Sequence, residues 1–116
     1  MHNFRKLDIW TKSMSLVTEI YQLTNTFPSH ERFGLMSQMQ RAAVSIPTNI
    51  AEGSAKTSNK DFARFLEMSI GSSLELETEL TIALNLKYTD LILFENIQNK
   101  IIELQKMITG FKNKLN

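Results

Sequence analysis

The residues best placed to do chemistry lie in the middle of the chain. Arg41, Ser45, Asn49 and Glu52 step by four, four and three, so on a helix they form one polar line. Further along, Glu75 and Glu79 stand four apart and share a helix face, while Glu77 points elsewhere. An arginine beside two such carboxylates supports three readings. It can join a buried or half-buried ion-pair network across a helix contact, which specifies register more than it adds stability. It can serve, together with Asn49, as a ligand or partner site. It can also be solvated surface.

Other chemistries lack their residues. The chain has two histidines, His2 and His30, and no cysteine. Neither histidine belongs to the Glu-x-x-His pairs that carboxylate-bridged di-metal bundles use. One stands at an N-terminus expected to fray and the other in a loop. No thiol nucleophile exists, neither histidine has the setting of a base beside a serine, and no glycine-rich phosphate loop occurs. These absences point to a protein with no catalytic residues, no metal and no cofactor.

The elements that position the polar residues are helices. A first helix carries two apolar stripes. Leu7, Trp10, Met14, Val17, Tyr21 and Thr24 read as its packed seam, and Ile9, Leu16, Ile20, Leu23 and Phe27 form a second. Two stripes exceed what one bundle core needs, so the surplus is either a wide core face or a subunit interface. Phe27-Pro28 breaks the pattern, because proline disfavours helix at the residue before it. The second helix is expected from about Arg32 to Ala55, with a seam of Met36, Met39, Ala43, Ile46 and Ile50 and a kink at Pro47. Ser58, with Asp61 three residues on, resembles a capping box opening the third helix. Its seam is Phe62, Leu66, Ser69, Ser73, Leu76, Leu80 and Ala83. The small residues Ser69, Gly71, Ser72 and Ser73 predict close approach by a neighbouring helix. Thr89 is the expected cap of the fourth helix, whose seam is Phe94, Ile97, Ile101, Leu104, Ile108, Phe111 and Leu115. Short connections make consecutive helices antiparallel neighbours. The expected fold is therefore all-α, an antiparallel up-and-down four-helix bundle forming one domain over residues 1–116.

Composition agrees. The chain has 116 residues, 42% hydrophobic and 22% charged, with only four glycines and two prolines, which favours long elements over a many-turned sheet. No run approaches the roughly 20 apolar residues of a membrane span, and no signal-peptide pattern is present. A cysteine-free chain suits a reducing, cytoplasmic compartment.

The formal net charge is only +1, but the topology separates the charges. One bundle end collects Arg5, Lys6, Lys56, Lys60, Arg64, Lys112 and Lys114 against Asp8, Glu52 and Asp61. The other collects Glu31, Glu77, Glu79, Asp90 and Glu95 against Arg32 and Lys87. The basic end is the candidate nucleic-acid surface. Ordinary solvation and helix-dipole complementarity would explain the same residues without a ligand.

The run from Gln38 to Gly53, QMQRAAVSIPTNIAEG, closely resembles the signature of the bacterial 23S rRNA intervening-sequence proteins. Leu7-Asp8-Ile9-Trp10, Phe27-Pro28 with Glu31, and Gly71-Ser72 followed by Glu75-Leu76-Glu77-Thr78 extend the resemblance over essentially the whole chain. The resemblance implies a four-helix bundle without enzymatic activity. It also implies likeness to the accessory protein of diversity-generating retroelements, a strongly basic homopentamer that contacts a reverse transcriptase and nucleic acid. Two functions follow as expectations. One is a homo-oligomeric module, a pentamer by that likeness, that binds RNA or DNA through the basic end. The other is a homo-oligomer or scaffold whose partner is another protein.

Overall fold

Hydrogen-bonding side chains open three of the four α-helices in the computed structural model, which describes residues 2–115. The helices are α1 (Asp8–Thr24), α2 (Leu35–Ser54), α3 (Asn59–Asn85) and α4 (Leu91–Asn113), with 3₁₀ turns at Phe4–Lys6 and Ser29–Glu31. Ser58 Oγ accepts the Asp61 N–H at 3.1 Å and opens α3 as expected. At α4 the cap is Asp90 rather than Thr89, its carboxylate accepting the Leu93 N–H at 2.8 Å. Helix α2 begins at Leu35, later than the expected Arg32. Residues 32–34 form a turn after the 3₁₀ segment Ser29–Glu31, and Glu31 Oε1 accepts the Leu35 N–H at 3.0 Å. The Tyr88 hydroxyl donates to the other Glu31 oxygen at 2.8 Å. The Leu35 N–H, then the Tyr88 hydroxyl, hold this carboxyl below the usual carboxylate range. A Cβ on Gly34 would lie 2.6 Å from Glu31 Oε1, so the glycine leaves room for the cap.

The C-terminus of α3 closes in a Schellman motif. The Tyr88 N–H bonds to Ala83 O at 2.9 Å and the Lys87 N–H to Leu84 O at 3.0 Å. Lys87 stands at the left-handed position, with φ 64°.

Each helix packs on its neighbours in sequence and α4 closes on α1, while the Cα atoms of the diagonal pairs stay more than 8 Å apart. This is the antiparallel up-and-down bundle, 44 Å long and 25 by 20 Å across. No strand occurs among the described residues. The core takes the expected seams of α3 and α4, with Phe111 alone left half-buried. In α2 it takes Leu35, Met39, Ala42, Ala43, Ile46, Pro47 and Ile50, and the helix continues past Pro47 to Ser54.

Helix α1 reverses one expectation. Ile9, Leu16, Ile20, Leu23 and Phe27 are the buried stripe. Of the stripe read as the seam, only Thr24 is buried; Leu7, Trp10 and Val17 are half-covered and Met14 and Tyr21 are exposed. The two stripes lie one residue, or about 100°, apart on the helix, so a little more than a quarter turn exchanges them. The compact aliphatic stripe packs inward, and the one with a tryptophan and a tyrosine stays where polar ring atoms can reach water.

The contact between α2 and α3 is the closest in the bundle. A Cβ on Gly53 would sit 2.7 Å from Phe65 Cβ and 2.8 Å from Phe62 Cδ1. Ser69 is buried and donates its hydroxyl to Ile46 O at 2.7 Å. Gly71 departs from the small-residue expectation: nothing lies within 4 Å of where its Cβ would be. It faces outward between the exposed Met68 and Leu74.

Candidate functional site

The α2–α3 contact opens, toward the Tyr88 end of the bundle, into a cavity of about 600 Å³. Gln38, Arg41 and Ser45 line it from α2, and Ser72, Glu75 and Glu79 from α3, with Ala42 among them. The polar line therefore does meet the carboxylate pair, but without the expected ion pair. Arg41 is exposed and forms no salt bridge among the described residues. A guanidinium on a long stem keeps its hydration by staying at the rim, which avoids the desolvation of a buried pair.

Glu79 carries the consequence. It is only 7% exposed, and its Oε1 is buried with no hydrogen-bond partner. Burial, with the nearby charge of Glu75 adding to it, pushes its carboxyl up to about 7. Of the two hydroxyls that line the same cavity, that of Ser72 is already committed. Ser72 Oγ donates to Ser45 Oγ at 2.9 Å, and Asn49 Nδ2 donates to Ser45 O at 2.9 Å and to Ser45 Oγ at 3.0 Å. Glu52 lies apart from this group, beside a groove between α1 and α2. Glu77 does point elsewhere, as expected, accepting from Gln105 Nε2 at 3.1 Å on α4. Nothing in the residue spacing marks Ser72 as a site residue. Gln38 is within its reach, because extending the Arg41 line back by three arrives there.

The other candidate surface is the basic end. Four chain segments converge there. The His2 N–H bonds to Ser54 O at 3.0 Å, and the His2 ring stands 5.1 Å from Phe62 and 5.9 Å from Phe111. Instead of fraying, the N-terminal segment is thus docked across the ends of α2, α3 and α4. Arg5 lies over the Phe4 ring at 4.5 Å and Lys56 over the Phe65 ring at 5.0 Å. Two of the seven cations have carboxylate partners, Arg64 with Asp61 and Lys112 with Glu67, both at 3.6 Å. Arg5, Lys6, Lys56, Lys60 and Lys114 are exposed and have no carboxylate partner among the described residues.

A third surface is apolar. The outer stripe of α1 and the facing side of α2 enclose a groove of about 450 Å³ walled by Trp10, Met14, Val17, Val44, Pro47 and Ala51. Among the described residues no group of three histidine, aspartate or glutamate side chains could hold a metal ion. No helix there is long and apolar enough to cross a membrane.

No curated protein matches the sequence. A solved structure from Bacteroides thetaiotaomicron, a protein of unknown function from the S23 ribosomal protein family, superposes with a TM-score of 0.84. It is 23% identical and covers 91% of this chain and 99% of its own, which shows a shared fold. The 23S rRNA-intervening sequence protein family matches residues 5–110, nearly the full length. The chain therefore belongs to the 23S rRNA-intervening sequence protein family.

Proposed function

We propose that this chain is a non-enzymatic, cytoplasmic interaction module that self-associates and contacts nucleic-acid phosphates through its basic end. The observation that carries the reading is the group Arg5, Lys6, Lys56, Lys60 and Lys114, exposed at one end without carboxylate partners among the described residues. In a closed ring of parallel subunits these ends would add on one face. A pentamer is the assembly the family resemblance suggests. No aromatic base-reading motif interleaves with the lysines, so phosphate contacts would supply the affinity and sequence preference would be weak.

The test is a salt titration of binding to a structured RNA, a single strand and a duplex DNA. Replacing Lys6, Lys56 and Lys60 together with glutamine should lower affinity. Each phosphate that is no longer neutralised should flatten the log–log salt slope by about 0.7 on single strands. Replacing Arg32 and Lys87, at the other end, should change little. Equal weakening by both sets would refute the polarity of the surface.

A second reading, a scaffold whose partners are proteins, is favoured by the α1–α2 groove, because an apolar patch of this kind marks an interaction surface. Both readings need self-association. Sedimentation of a monomer at micromolar concentration would exclude it. An oligomer that binds none of the three nucleic acids at low salt would leave the scaffold reading.

A further inference from the structure

We propose that the α2–α3 cavity is a receptor for a cationic N–H donor, an alkylammonium or guanidinium group, received by the carboxylates of Glu79 and Glu75. A buried acceptor without a donor is costly, and such groups are rare in folded proteins unless something outside the chain completes them. Glu79 Oε1 is such an acceptor, on a residue more than nine-tenths buried that lines an open cavity; the oxygen itself is closed to solvent, so a donor in the cavity reaches it when the carboxylate turns toward it. The hydroxyl of Ser72, which lines the same cavity, donates to Ser45, and Glu79 Oε1 has no bond to either serine.

Charge and size then select the ligand. The cavity wall carries two carboxylates, Glu75 and Glu79, against one cation, Arg41, which stays exposed at the rim. An anion drawn to Arg41 would meet both carboxylates. A bare metal ion is a poor occupant, because hard cations want about six or more oxygen ligands and the wall supplies two carboxylates. The volume of about 600 Å³ lies within the range of small-molecule sites, roughly 300–1,000 Å³. It has room for a chain bearing the charged head. Gln38 and Ser45 offer polar groups along its stem. Arg41 carries the same charge as the ligand and stands at the entrance, so it opposes entry.

The same chemistry has two sources, a small free amine or a basic side chain of a second copy. The experiment separates them by NMR, following the Glu79 side-chain carboxyl and the Ser72 and Glu75 amides in the full-length protein. Agmatine and putrescine are the probes, with isobutyramide as a neutral control and no nucleic acid present. Saturable shifts with the amines and none with the amide are expected. Glu79→Gln, checked for folding by circular dichroism and melting, should weaken the response at least about tenfold, and Arg41→Ala should strengthen it. Affinity should fall as pH drops through about 7, as Glu79 gains a proton. The charged groups lining the cavity with it are Glu75 and Arg41. Shifts of the same resonances on raising protein concentration alone would place the cation on a second copy and sustain the proposal. No response to amine or to concentration would overturn it. So would a Glu79→Gln response equal to wild type, or binding seen only in Arg41→Ala, which would mean that Arg41 itself fills the cavity.

Discussion

Replacing Glu79 with glutamine should make the protein more stable at high pH and leave it nearly unchanged at low pH. The Glu79 carboxyl moves from an ordinary 4.5 to about 7 in the fold, chiefly because burial penalises its charged form, with Glu75 adding to the effect. The folded state thus holds a proton that the unfolded state has released between these two values. Stability must therefore fall as pH rises through that window. Each pH unit between them is worth about 1.36 kcal/mol. The difference of 2.5 sets a ceiling of about 3.4 kcal/mol, and water entering the open cavity reduces it to about 2–3 kcal/mol. Glutamine keeps the shape and carries no charge, so it escapes this penalty. The assay is urea unfolding of both proteins at intervals from pH 4.5 to pH 8.5, taking the difference between them at each pH. Groups titrating elsewhere, Glu31 among them, cancel in that difference. The variant's advantage should grow from near zero to about 2–3 kcal/mol across the window. A difference that stays flat with pH would show that Glu79 is solvated in the fold, and the cavity would then lack a buried acceptor.

Two further substitutions test the packing. Gly53→Ala should cost about 1–3 kcal/mol by urea unfolding, because its methyl would meet Phe65 Cβ at 2.7 Å, an atom too close to the α3 backbone to swing aside. The same change at Gly71, which has open space around it, should not destabilise the monomer and should stabilise the helix by up to about 1 kcal/mol. Lys87→Gly should raise stability by up to about 1 kcal/mol, since the left-handed position at φ 64° favours glycine and Lys87 forms no ion pair there among the described residues. A drop in melting temperature in that variant would mean that the lysine side chain contributes something the backbone geometry does not reveal.

Much of the architecture is legible in the residue order. The period of the apolar residues, the Ser58–Asp61 spacing and the short connections suffice for four antiparallel helices. They also suffice for the α3 and α4 seams, because each depends on neighbours close in sequence. The convergence of the basic residues at one end follows from topology alone. Three features depended on contacts between helices. Which α1 stripe turns inward rests on how α2 and α4 receive it, since Ile9 and Trp10, or Ile20 and Tyr21, are adjacent in sequence and both stripes repeat with the same helical spacing. Gly53 and Gly71 are the same residue in similar helical settings, yet one abuts Phe65 and the other faces open space. Arg41 and Glu79 share a cavity without pairing. Helical spacing can bring their Cα atoms to facing positions, but whether opposite charges meet is settled by the balance between desolvation and attraction. That balance depends on the depth of each side chain in the folded bundle, where Glu79 is buried and Arg41 is not.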